Sequence, residues 1–106
     1  MTTPTDADPG LLTVIAHMRA KPGKRQELQD ALIALVEPTS QETGFVNYDL
    51  HQGTEDPDLF YLYENWHSAE LLDAHLNAAH LVEFAGRLDD LLADPGLTIT
   101  RLRRIA

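Results

Sequence analysis

The segment Leu59 to Phe84, LFYLYENWHSAELLDAHLNAAHLVEF, decides how this chain is read. Its first part, Leu59 to Trp66, is an aromatic strand on which Phe60, Leu62, Glu64 and Trp66 share one side. Ser68 then offers an N-cap to a short helix carrying Leu71, Leu72, His75 and Leu76. Asn77-Ala78 reorients the chain before a second helix with Leu81, Phe84, Leu88, Leu91 and Leu92, which Asp94-Pro95-Gly96 stops. The segment brings one Trp together with the helix-borne imidazoles of His75 and His80 and little other reactive chemistry.

Upstream, Phe45 to Gln52 alternates Val46, Tyr48 and Leu50 with Asn47, Asp49 and His51, the period of a strand. The turn Gly53 to Asp58 between the two strands predicts antiparallel pairing. Before it, Leu28, Leu32, Leu35 and Val36 mark a helix from Lys24 to about Thr43, with Pro22 and Gly23 at its start, Gly44 past its end and Pro38 distorting its last turns. Leu11 to Ala20 is β-branched and apolar, a first strand, and Leu97 to Ile105 alternates as a last one. The order β-α-β-β-α-α-β predicts an α+β fold of the ferredoxin-like split βαβ type, a four-stranded antiparallel sheet with helices on one face. Residues 11–106 are expected to form one domain, and residues 1–10, rich in Thr, Pro and Asp, are expected to form a disordered tail.

Composition narrows the chemistry. The 106 residues carry 17 acidic and 8 basic side chains, a formal net charge of -9, which repels phosphate backbones and anionic lipid and argues against nucleic-acid or membrane partners. The absence of Cys removes disulfides, thiolate nucleophiles and iron–sulfur clusters, and fits a cytoplasmic location. There is no signal-peptide pattern and no apolar run of membrane-spanning length. With no phosphate loop and no spaced metal motif, neither metal nor cofactor is expected. On the first strand Val14, Ala16 and Met18 point one way and Ile15 the other, beside His17 and Arg19. That second face is partly apolar and has no helix of its own, so a homodimer is expected to cover it.

LLTVIAHMRAKPG (residues 11–23), the Glu42-Thr43-Gly44-Phe45 turn followed by Tyr48, and YENWHSAELLDAH (residues 63–75) with His80 together resemble the antibiotic biosynthesis monooxygenase (ABM) domain family, in its quinol monooxygenase-like branch. The resemblance spans about Leu11 to Ile105. It implies a dimeric ferredoxin-like fold, often with an exchanged C-terminal strand, and a pocket between sheet and helices. Several members oxygenate quinols or aromatic polyketides without cofactor or metal; others degrade haem, isomerise small phosphorylated diketones or have no assigned activity. Tyr48, Glu64, Trp66, His75 and His80 stand where the family pattern has them. Leu62 replaces an amide of some anthrone-oxidising members, and Ala16 or His17 replaces the first-strand Asn of haem-degrading ones.

Each candidate also has a bland reading. His75 follows Leu71 and Leu72 on their core-facing stripe, so it is either a satisfied buried imidazole or a general base with an unperturbed pKa near ~6.5. Trp66 is either core or a stacking platform whose indole N–H donates to a substrate oxygen. Glu64, an inward carboxylate in need of a partner, is an anchor at the dimer interface or a polar group of the pocket. His80 lies about 140° around from His75 on a continuous helix, so the pair would not chelate one metal; it is a solvated or capping residue, or reaches the pocket mouth if the chain bends at Asn77. Tyr48 either orients a substrate oxygen or packs in the core, and Phe84 supplies an apolar wall. Arg101, Arg103 and Arg104 pair with acidic groups across the dimer or grip an acidic substrate. The leading expectation is a cofactor-independent oxygenase using dioxygen on a small aromatic such as a quinol or anthrone, with His75 and Trp66 catalytic and Tyr48, Glu64, His80 and Phe84 holding substrate. The alternatives are a binding module without turnover and an isomerase of a small carbonyl compound.

Overall fold

The computed structural model describes residues 10–106, so the expected tail lies, apart from Gly10, outside the described residues. The elements run β1 (Leu12–Arg19), α1 (Arg25–Ser40), β2 (Phe45–Gln52), β3 (Leu59–Trp66), α2 (Ala69–Leu76), α3 (Ala79–Ala85), α4 (Leu88–Leu91) and β4 (Thr98–Leu102). The sheet order is β2-β3-β1-β4 and every pairing is antiparallel. This is the expected α+β arrangement: β1 lies between β3 and β4, and α1 carries the chain from β1 to β2.

Period-two patterning sets the register. Val14 pairs with Glu64, Ala16 with Leu62 and Met18 with Phe60, so the apolar sets of β1 and β3 share the helix-covered face. Leu28, Leu32 and Leu35 of α1 and Leu72 of α2 close over them, all buried. Burying each such side chain contributes about 2 kcal/mol. Ser68 caps α2 as expected, accepting from the Leu71 N–H at 3.1 Å.

Three local expectations change. The helix expected through Leu81 and Leu92 divides beyond Gly86 into α3 and α4, since glycine lowers helix propensity there. Between Phe45 and Asn47 the register shifts, leaving Val46 unpaired, so Phe45 takes the place opposite Trp66 and Tyr48 stands opposite Glu64. The last strand is shorter than its alternating pattern, ending at Leu102. The expected bend does occur: α2 stops at Leu76, the Asn77 amide side chain donates to the Asp73 carbonyl at 2.8 Å, and Ala78 is extended before α3 begins. Among the described residues no helix is long and apolar enough to cross a membrane.

The other sheet face holds a polar ladder across three strands. Thr13 Oγ1 donates to Asn65 Oδ1 at 2.6 Å, Asn65 Nδ2 to Asn47 Oδ1 at 2.8 Å, and Asn47 Nδ2 to Asp49 Oδ2 at 2.9 Å. Beside the ladder, the ring of His17 stacks on that of Tyr61, which is 41% exposed.

Candidate functional site

Five segments converge at the end of β3. Trp66, fully buried as the last residue of that strand, meets the edge of Phe45 with ring centroids 6.5 Å apart. Its indole lies over the His75 imidazole at 4.4 Å and 35°. Tyr48 from β2 presents its ring edge-on to His75 at 5.4 Å. His75 is thus a member of the apolar stripe of α2, 1% exposed, and enclosed by two aromatic rings.

Its polar partner is Glu42, in the loop between α1 and β2. Glu42 Oε2 lies 2.7 Å from His75 Nδ1 and 2.9 Å from His80 Nε2. An ionised carboxylate only accepts, so the facing nitrogen of each imidazole carries a proton, and the lone pair of neutral His75 is left on Nε2. Thr39 Oγ1 stands 3.3 Å from the same nitrogen of His80. Burial holds His75 below the usual imidazole range; the hydrogen bond and charge of Glu42 oppose the shift, and His80 adds to it. The imidazole is therefore neutral at pH 7. Burial, reinforced by the charges of Glu64 and Glu42, pushes the Tyr48 phenol upward. The Glu64 carboxyl is pushed up to about 7 by burial, with Glu42 adding to the shift and the Trp66 N–H opposing it.

One expected role is corrected. The indole N–H of Trp66 donates to Glu64 Oε1 at 2.9 Å, so it is committed inside the protein rather than turned toward a substrate. Glu64, 4% exposed, is on the helix-covered face, the side its alternation predicts, and takes Trp66 as its partner. His75 and His80 stand on separate helices, and the bend at Asn77-Ala78 turns both rings toward Glu42. Arg101 pairs with Asp73 of its own chain at 3.1 Å. His17, His51 and His67 stay on the surface side of the sheet or at strand ends, as their isolation in the sequence indicates.

Sequence reasoning did not single out Glu42. A signal was present: an acidic residue just past a helix C-terminus opposes the helix dipole, and such a placement asks for a compensating partner. His80 and Phe84 belong to a neighbouring cavity of about 150 Å³ between α1 and α3, lined also by Ala31, Ala34, Leu35, Glu83 and Arg87. His80 therefore links the buried cluster to the cavity.

The chain matches a known family. The family description "Antibiotic biosynthesis monooxygenase" fits residues 11–87, and the chain belongs to that family. It is similar to "Probable quinol monooxygenase YgiN" of Escherichia coli (strain K12), 32% identical over 85 residues, which cover 71% of this chain and 82% of that protein. It is 27% identical over 84 residues to "Uncharacterized protein sll1783" of Synechocystis sp., covering 79% of this chain and only 57% of that longer protein. Among solved structures, PA3566 from Pseudomonas aeruginosa superposes with a TM-score of 0.86 at 38% identity, over 92% of this chain and 96% of that one.

Proposed function

We propose that this chain is a cofactor-independent monooxygenase that oxidises a small electron-rich aromatic, a quinol or an anthrone-like polyketide, with dioxygen. The observation that carries the reading is the Glu42–His75 pair. A carboxylate fixes Nδ1–H, so Nε2 is a neutral base in an apolar, aromatic surround, where a proton acceptor needs no metal to be effective. The family and the similarity to a protein named for quinol oxidation support the same class.

In this reading Nε2 of His75 takes a proton from the phenol or activated methylene. The resulting anion passes one electron to dioxygen, and the radical pair combines to form a C–O bond. The hydroperoxide then loses water, leaving a new carbonyl. One dioxygen is consumed, one oxygen atom stays in the product and the other leaves as water, so no external reductant is needed. Glu42 acts as a positioning residue for His75. Phe84 and His80 border a cavity of about 150 Å³, a size that suits a single benzenoid ring and so favours a quinol over a larger anthrone. Tyr48 and Trp66 hold the imidazole in place from the sheet side. Glu64 supports Trp66.

The same reading makes the protein a homodimer that joins copies through the sheet face bearing Ile15, Tyr61 and Tyr63. Oxygen-electrode assays with a panel of quinols and anthrones test the activity. Consumption of one dioxygen per substrate with one of its oxygen atoms retained in the product, a hydroxyquinone from a quinol or an anthraquinone from an anthrone, is expected; saturable binding of these compounds without oxygen uptake would make the chain a binding module instead.

A further inference from the structure

We propose that Glu42, His75 and His80 form a binding site for one divalent transition-metal ion of the zinc class. Two imidazoles and one carboxylate are the borderline donors that such ions prefer. The ligand atoms of the three residues all lie within 4.8 Å of one another, with two of the separations at 2.7 and 2.9 Å. Metal bonds of about 2.0–2.2 Å to such donors require only that the trio open slightly around the ion.

The arrangement is held from outside. Glu42 is tied to the end of α1, His75 sits on α2 and His80 on α3, and the bend that brings the rings together is fixed by the Asn77 side chain on the Asp73 carbonyl. Thr39, itself buried, stands 3.3 Å from the same His80 nitrogen, which gives up that contact when it takes an ion. Trp66 and Tyr48 wall the inner side, whereas His80 and Glu42 have side chains 22% and 16% exposed, leaving the outer side for entering ions and for further ligands. A chain of net charge -9 also raises the local cation concentration.

The proposal does not depend on the reaction proposed above, although it bears on it. An ion on Nδ1 of His75 moves the imidazole proton to Nε2, so the metal-bound form and the base form exclude one another.

The test uses the full chain, stripped with a chelator, and titrates ZnCl₂ by calorimetry and CoCl₂ by visible absorption at neutral pH. One ion per chain is expected, with His80→Ala weakening binding by about 10²-fold or more at an unchanged circular dichroism spectrum. Glu42→Gln supplies a second variant if His80→Ala folds poorly, and His51→Ala, on the exposed edge of β2, should bind as the wild type does. Equal affinity in wild type, His80→Ala and Glu42→Gln would overturn the site, as would the absence of saturable binding by the wild type or a loss of binding in His51→Ala.

Discussion

Gly44 and Leu71 lock the loop that carries Glu42 against helix α2. Gly44 has φ +92°, and a Cβ placed on it would lie 2.5 Å from Leu71 Cβ, so neither the backbone nor the space admits a larger residue. Gly44→Ala should destabilise the fold by about 2–4 kcal/mol, from left-handed strain together with overpacking. Urea unfolding measures this, and a change within experimental error would show that the loop can relax away from α2.

Glu64 makes stability fall as pH rises. Its carboxyl is held at about 7 against 4.5 for an ordinary glutamate, so the folded state binds the proton more tightly than the unfolded one. The stabilisation is complete below pH 4.5 and is lost as pH rises through about 7, amounting to about 3 kcal/mol. Glu64→Gln keeps an acceptor for the Trp66 N–H and removes the charge. At pH 8 the variant should be more stable than the wild type, and at pH 4.5 the difference should shrink or reverse. A stability difference independent of pH would sink the prediction.

For the oxidation reaction, His75→Ala should lower quinol turnover by about 10²-fold or more, with the fold retained. Glu42→Gln should fall between that variant and the wild type, because an amide can still hold the ring but no longer dictates which nitrogen carries the proton. Steady-state oxygen uptake decides the ranking. Undiminished turnover in His75→Ala would place the base elsewhere.

Light scattering should return twice the 11.8 kDa chain mass at micromolar concentration. Tyr61→Glu, on the sheet face away from the helices, should shift the population toward monomer while leaving the helix-side core intact. A wild type that remains monomeric at high concentration removes the argument from the uncovered face.

What could be read directly in the sequence was what local chemistry decides. The alternation on β1 and β3 placed Val14, Ala16, Met18, Phe60, Leu62, Glu64 and Trp66 on one face, and Ser68 announced the start of α2. The unpaired Val46 was not legible, because a bulge costs little locally and is chosen by how Phe45 fits against Trp66. The site was legible in its apolar parts and obscure in its polar ones. His75 followed from its stripe, whereas the role of Glu42 depends on a contact 33 residues away in the chain, and the committed N–H of Trp66 depends on both side chains leaning to the same side of one strand.

Trp66 is the single tryptophan of the chain, and it lies against His75. The tryptophan emission of the protein therefore comes from one indole, against which lies the imidazole of greatest chemical interest. A protonated imidazole quenches an excited indole, and an ion drawn to Glu42 would shift that ring, so proton uptake and ligation at His75 both become optical signals. The molecule carries its own fluorescent reporter, with no label to introduce and no second emitter of its kind to subtract.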